Sequence, residues 1–202
     1  MSQHAYSQPS NVFSPGTLVL CGMVAFTVVY RLAVHFAAGA LPWNFTPVEA
    51  MALFGGAYFA DRRLGVAIPL IAMLVADCVI ALTLPAAWVR DWLGTLPFVY
   101  LCIAMTAVGG FALRGKVNVP RVAIGAFASA VLFFVVTNFA TWLTARPDAG
   151  AACTGSLAAC YVAAIPFFRG TLAGTLVWSA VLFGGFALLG RRWTVLRLTA
   201  AH

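Results

Sequence analysis

The sequence predicts an all-α integral membrane protein, a bundle of six transmembrane helices. Hydrophobic residues make up 63% of the 202 residues and charged residues only 8%, and the mean hydropathy is +0.97. This composition leaves too little polar surface to cover a soluble globule of the same size. The predicted spans are Gly16–Phe36, Thr46–Ala60, Leu64–Leu84, Thr95–Leu113, Val122–Leu143 and Thr171–Leu189.

The first two spans differ in length. Gly16–Phe36 rises about 31 Å, close to the roughly 30 Å thickness of the hydrocarbon layer. Thr46–Ala60 reaches only about 22 Å. We therefore expect this short helix to be shielded by its neighbours or to continue past Asp61.

The start of the second span resembles a helix-capping arrangement. Thr46 supplies a hydroxyl for the N-cap, Pro47 suits the first helical position, and Glu49 follows as the carboxylate of a capping box. A structural role is therefore expected for Glu49. Asn44 and Phe45, directly upstream, belong either to an interfacial aromatic belt or to a ligand site.

The third span carries the residue pair most indicative of function. A charged side chain in a transmembrane segment costs about 3 kcal/mol on insertion scales, so Asp77 should face the protein interior or a ligand cavity. The first span places Arg31 and His35 one helical turn apart at a similar depth. Arg31 either neutralises Asp77 or contributes to binding, whereas His35 is a donor to that pair, a ligand or a snorkelling side chain.

Cys78 has two interpretations. A small buried hydrophobe describes most cysteines in membrane spans. The adjacent carboxylate of Asp77, the outer position and the nearby charge of Arg31, which favours the thiolate, instead indicate a ligand for a soft metal.

The distribution of basic residues predicts orientation and domain organisation. With a cytoplasmic amino terminus, eight Lys and Arg residues lie inside and three outside, which supports both termini in the cytoplasm. Residues 1–15 are then a polar cytoplasmic tail, residues 16–190 the transmembrane domain, and residues 191–202 a basic cytoplasmic tail. Of the outer loops, the longest runs from Thr144 to Gly170, and its Cys153 and Cys160 can form a disulfide if it faces an oxidising compartment.

Paired glycines recur near the ends of the even-numbered spans. They are Gly55 with Gly56, Gly109 with Gly110, and Gly184 with Gly185. Glycine lets helix backbones approach closely in a membrane, so helix packing is the expected role and a surface for a partner is the alternative.

Several function classes are excluded by pattern. Basic residues cluster at span ends, where they indicate orientation rather than nucleic-acid binding. Residues 110–116 spell GxxxxGK, but Val117 stands where a phosphate loop needs Ser or Thr, and no strand is predicted before it. The chain therefore carries no recognisable ATPase.

The stretch from Arg31 to Leu82 resembles small bacterial membrane proteins related to the S-components of ECF-type vitamin transporters. The resemblance lies in the run NFTPVEAMALFGGAYF and in the span that bears Asp77 and Cys78. Within that group the chain is similar to BtuM-type cobalamin transporters, and this narrower assignment depends on Cys78.

The resemblance implies a six-helix S-component fold that binds cobalamin or a related corrinoid near the outer ends of the helices and carries it across the bacterial inner membrane. Cys78 matches the axial ligand of the corrin cobalt, and no intrinsic cofactor is expected. Such proteins normally dock on an ECF energising module. The inner half of the first span lacks the AxxxA spacing that usually makes this dock, which makes a solitary transporter plausible.

Other side chains are candidates to contact the corrinoid. Aromatic rings can rest against the flat macrocycle, and amides can meet its polar substituents, although an interfacial role is equally open for the aromatic residues. Together with Asp77, Cys78, Arg31 and His35, the expected substrate-binding residues are Asn44, Phe45, Trp88, Tyr100, Asn138, Trp142, Tyr161 and Phe168.

Three alternatives remain. The chain could be an S-component for another vitamin or metal, with Cys78 incidental. It could be a membrane enzyme with Cys78 as nucleophile and His35 as base, provided that the two side chains meet. A structural scaffold is the third alternative, but it gives no reason for Arg31, Asp77 and Cys78 to share one depth.

Overall fold

A computed structural model describes residues 15–37, 44–145 and 152–192, and the described part of the chain is helical. Nearly all of both predicted tails lies outside these ranges. The six α-helices of the described ranges are α1 (Pro15–Phe36), α2 (Val48–Tyr58), α3 (Arg62–Ala81), α4 (Ala86–Gly110), α5 (Val119–Thr144) and α6 (Leu157–Arg192). Short 3-10 turns follow α4 at Phe111–Leu113 and precede α6 at Ala152–Thr154.

The helices alternate in direction. At one end of the bundle, here called the Asn44 end, α1, α3 and α5 finish and α2, α4 and α6 begin. The opposite, Arg114 end contains the turn from α2 to α3 and the segment from α4 to α5. Four described helical segments are long and apolar enough to cross a membrane, the segments being Arg62–Ala81, Trp92–Leu113, Val119–Thr144 and Leu157–Arg192.

The short helix α2 lies at the centre of the bundle. All eleven of its residues are buried. A helix that is apolar around its whole circumference is stable only when other helices surround it. The expectation that this short span would be shielded by its neighbours is therefore confirmed, and α2 ends at Tyr58 without continuing past Asp61.

Two helices start well before the residues predicted from the sequence. Helix α4 starts at Ala86 rather than Thr95, and α6 starts at Leu157 rather than Thr171. The predicted long outer loop is therefore wrong from Leu157 onward. Proline does not end either helix, since Pro97 lies within α4 and Pro166 within α6. The extension of α6 packs on α5, where the rings of Phe134 and Phe168 lie 4.8 Å apart.

An arginine closes the carboxyl end of α2. Arg114 donates from Nε to the carbonyl oxygen of Gly56 at 2.9 Å, from Nη2 to that of Phe59 at 2.8 Å, and from Nη1 to that of Ala60 at 3.2 Å. These are carbonyl groups that the end of the helix leaves without intrahelical partners. At the start of α3, Asp61 accepts a hydrogen bond from the backbone N–H of Arg63.

Glycines allow α2 and α4 to touch backbone to backbone. A Cβ added at Gly56 would clash with the carbonyl oxygen of Ala107, and one added at Gly110 would clash with that of Leu53. The packing role is confirmed for these two glycines. The third predicted pair behaves differently, because a Cβ at Gly184 or Gly185 meets no atom within 4 Å.

Replacing Gly110 with Ala should destabilise the protein by about 1 to 3 kcal/mol, because the backbones of α2 and α4 would have to separate. Gly109→Ala is the matched control, since its added methyl meets nothing within 4 Å. Thermal unfolding of the two purified variants in detergent measures the difference. Equal melting temperatures would contradict the close approach of the two helices.

Candidate functional site

A buried charged cluster joins α1, α3 and α4 near the Asn44 end. Arg31 donates from Nη2 to Oδ1 of Asp77 at 2.7 Å, and the hydroxyl of Tyr100 donates to Oδ2 of Asp77 at 2.9 Å. The side chain of Asp77 is 3% exposed and that of Arg31 is 21% exposed. The ion pair considered from the sequence is therefore present, and Tyr100 completes it through its hydroxyl group.

A cavity of about 180 Å³ lies beside this cluster. Its wall combines polar side chains with apolar ones, and all six helices or their adjoining segments contribute to it. The lining residues are Arg31, Asn44, Thr46, Val48, Glu49, Met73, Leu96, Val99, Phe133 and Thr171. Polar residues from α1, α2, α6 and the segment before α2 thus line one cavity.

The helix-capping role expected for Glu49 is wrong. Pro47, rather than Thr46, occupies the N-cap position of α2, and the cap has no side-chain hydrogen bond. Glu49 instead lines the cavity, with 3% of its surface exposed, and its Oε2 atom has no hydrogen-bond partner. An acidic residue inside an apolar run of a membrane span indicates a functional site. Glu49 is such a residue, but its position in a capping pattern favoured a structural interpretation.

Arg31 also has an unused hydrogen-bonding position. Its Nη2 group is bonded to Asp77, but its Nε atom is buried without a partner. Buried polar groups are normally paired. Two residues that line the cavity, Arg31 and Glu49, therefore each carry one buried polar atom, a donor and an acceptor respectively, without a partner in the protein.

Cys78 does not line this cavity. Its thiol is free and exposed, and it falls on the same face of α3 as the exposed side chains of Ile71, Leu74 and Val75. The adjacent Asp77 is turned inward, because successive residues of a helix point about 100° apart. The structure thus separates the two neighbours, one toward the interior and the other toward the outer surface of the helix.

The imidazole of His35 contacts Thr83, which lies just beyond the carboxyl end of α3. Its Nε2 atom lies 3.0 Å from the Oγ1 atom of Thr83. A thiol enzyme would need the imidazole close to the sulfur. The contact with Thr83 gives no support to that alternative.

Two further candidates lie at the entrance of α2. Asn44 lines the cavity and has a positive φ of 61°, a conformation that Asn adopts more readily than most residues. The Cα atom of Phe45 lies where a Cβ at Gly174 would contact it, so this segment packs closely on α6.

The remaining candidates lie on α4, α5 and α6, and none of those described lines the cavity. Asn138 donates to the carbonyl oxygen of Phe134 in its own helix, and the hydroxyl of Tyr161 donates to the carbonyl oxygen of Val135. The rings of Phe168 and Trp142 pack on neighbouring aromatic rings of α5. The side chain of Trp88 lies outside the described part of the structure.

The cysteines at the Asn44 end form the disulfide that the sequence allowed. It joins Cys153, in the 3-10 turn, to Cys160, in the first turn of α6. Within the described ranges, no group of three or more His, Cys, Asp and Glu side chains is arranged to hold a metal ion. A cobalt ion already held by a corrin ring would need only one axial ligand from the protein, so this finding does not test Cys78.

The apolar helices around the buried α2 indicate a multi-pass membrane protein. The cavity lined by polar and apolar side chains is its candidate small-molecule site. The chain belongs to a family of unknown function (DUF6580), whose model matches residues 11–196. No curated protein and no solved structure matches the chain.

Replacing Asp77 with Leu should destabilise the protein by about 3 to 5 kcal/mol, because Arg31 would keep a largely buried charge without a partner. The double variant Arg31→Met with Asp77→Leu should recover most of this loss, since it removes both charges. Denaturant unfolding in mixed micelles measures the two single variants, Asp77→Leu and Arg31→Met, and the double variant. Additive losses in the double variant would show that the pair does not act as a unit.

Proposed function

We propose that the protein is a solute-uptake protein of the inner membrane that binds its cargo at the Asn44 end of the bundle, in the manner of the S-components that the sequence resembles. One observation carries this proposal. The cavity is lined by Arg31 and Glu49, and each of these side chains has a buried polar atom without a hydrogen-bond partner, Nε of Arg31 and Oε2 of Glu49. Such groups are costly in a membrane protein unless a ligand engages them.

The arrangement of the helices supports an uptake function. Five helices surround the short central helix α2, and the cavity lies at the end where the predicted outer loops are located. The disulfide between Cys153 and Cys160 belongs to this end, and disulfides persist in oxidising compartments. With the excess of basic residues at the opposite end, this supports cytoplasmic termini and a cavity that receives solute from outside.

Two features of the sequence bear on the energy source for transport. The sequence carries no recognisable ATPase, and the first helix lacks AxxxA in its inner half. We therefore propose either a solitary transporter or one that docks on an ECF energising module through another surface. Reorientation of the bundle would expose the cavity to the cytoplasm.

The cavity fits a small solute better than a corrinoid. A volume of about 180 Å³ is several times too small for a corrin ring with its side chains. This favours the alternative in which the cargo is another vitamin or small molecule and Cys78 is incidental.

Cobalamin or a related corrinoid is the second candidate cargo, and a specific observation favours it. Cys78 is a free, exposed thiol, and the adjacent Asp77 is bonded through both of its oxygens, which fixes that turn of α3. An accessible thiolate is a suitable ligand for cobalt. The corrinoid would then bind against the outer face of α3, outside the cavity.

A cavity-filling substitution tests the first proposal. Val99→Phe should abolish binding of the solute by occupying the cavity, whereas Leu101→Phe, an exposed site on the same helix, should leave binding unchanged. The purified protein is screened by thermal shift against vitamins, nucleobases, amino acids and amines, and each hit is followed as radiolabelled uptake into proteoliposomes. The proposal fails if no compound binds, or if both variants bind equally.

The corrinoid proposal is tested by absorption spectroscopy. Mixing the protein with hydroxocobalamin should shift the cobalt absorption bands as the thiolate coordinates, and Cys78→Ser should remove the shift. Cys21→Ser is the matched control, because Cys21 is also a free, exposed thiol in a membrane helix. Identical spectra for the wild type and Cys78→Ser would exclude ligation by Cys78.

A further inference from the structure

We propose that the solute bound in this cavity is a small organic cation, an amine whose ammonium group pairs with Glu49. The proposal rests on the proposed function, and it adds the chemical class of the cargo. Three features of the described residues lead to it: the sum of charges around the cavity, the two unpaired polar atoms, and the composition and size of the wall.

The charges around the cavity do not cancel. Arg31 and Asp77 form an ion pair at 2.7 Å and neutralise each other. Glu49 lines the same cavity and has no cationic side chain within salt-bridge distance among the described residues. With all three groups ionised, the site therefore carries one excess negative charge.

An excess negative charge at this depth favours a cationic ligand. An ionised carboxylate with an unpaired oxygen is costly in a medium of low dielectric constant, and a nearby cation offsets that cost. The same field disfavours an anionic solute, because it would add a second uncompensated charge. With Glu49 ionised, the described cavity wall thus favours a cationic ligand over an anionic one.

The unpaired atoms define the two ends of the ligand. Glu49 Oε2 requires a hydrogen-bond donor, which an ammonium group supplies with a charge-assisted bond. Arg31 Nε requires an acceptor, such as a hydroxyl, carbonyl or ring nitrogen atom. The expected ligand is therefore an amine that also carries one acceptor.

Size and wall composition favour an organic cation over a metal ion. Since a water molecule takes about 30 Å³ in the liquid, the cavity holds the equivalent of roughly six non-hydrogen atoms. Its wall includes Val48, Leu96 and Val99, which give no ligands to a hard metal ion but can contact methylene groups. Thr46 and Thr171 add hydroxyl groups that can hydrogen-bond to the amine.

The experiment compares matched sets of small compounds on the full-length protein in lipid nanodiscs. Each set consists of an amino alcohol or amino amide, the alkylamine that lacks its acceptor, the neutral analogue with hydroxyl in place of the amine, and the carboxylic acid analogue. Sodium and potassium chloride form a separate arm. Thermal shift and calorimetry measure binding to the wild type and to Glu49→Gln, Arg31→Lys and Asp61→Asn. Asp61 is the control carboxylate, because it lies exposed at the opposite end of the bundle.

The expected result is that at least one amine binds the wild type and Asp61→Asn equally, while its neutral and acidic analogues do not bind. Glu49→Gln should lower the affinity for that amine by at least about tenfold, the loss expected for one hydrogen bond to a charged group. Arg31→Lys, which keeps a cation for Asp77 but lacks the Nε donor, should weaken only those amines that carry an acceptor.

Other outcomes overturn the proposal. Binding of a neutral or acidic compound that no amine matches would leave solute uptake standing and exclude a cationic cargo. Equal binding by Glu49→Gln would remove Glu49 from the site, and stabilisation by sodium or potassium alone would replace the organic cation with an inorganic one. If no compound in any arm binds, both this inference and the uptake of a small solute through this cavity fail. Monodisperse elution and an unchanged helical circular-dichroism spectrum verify that each variant is folded.

Discussion

The fold depends on the burial of α2 at the centre of the bundle. This helix is too short to cross a membrane unaided, and all of its residues are covered by the surrounding helices. The covering is possible because Gly56 and Gly110 carry no side chain where α2 and α4 touch. In a membrane, where no hydrophobic force operates between helices, such close packing and buried hydrogen bonds supply the attraction. Three hydrogen bonds from Arg114 then satisfy carbonyl groups at the carboxyl end of this helix.

Central burial of α2 also explains the position of the candidate site. Because the helix starts within the bundle, its first turn lies below the Asn44 end and leaves space above it. Glu49, in that first turn, faces this space together with Arg31 from α1 and Thr171 from α6. Helix α2 thus contributes Val48 and Glu49 to a cavity that its neighbours complete.

Most of the fold was predictable, and the reason is the strength of the apolar signal. Six helices were expected at positions that overlap those observed, and the shielding of the short span followed from its length. The loop predicted to run to Gly170 was wrong from Leu157, because the extension of α6 is held by packing on α5. Hydropathy identifies where a chain crosses the membrane but not how far a helix continues beyond it.

The sequence by itself predicted a multi-pass helical membrane protein and the number of its helices. It offered the ion pair with Asp77 as one of two roles for Arg31, because a buried charge in a membrane is stabilised by an opposite charge at the same depth. Only the tertiary structure decided which side chains share a cavity. It turned Cys78 outward although Asp77 faces inward, and it revealed that Glu49 lines the cavity rather than capping α2. These outcomes depend on the rotation of each helix about its axis, which is set by packing against the neighbouring helices and is not encoded in the pattern of any single span.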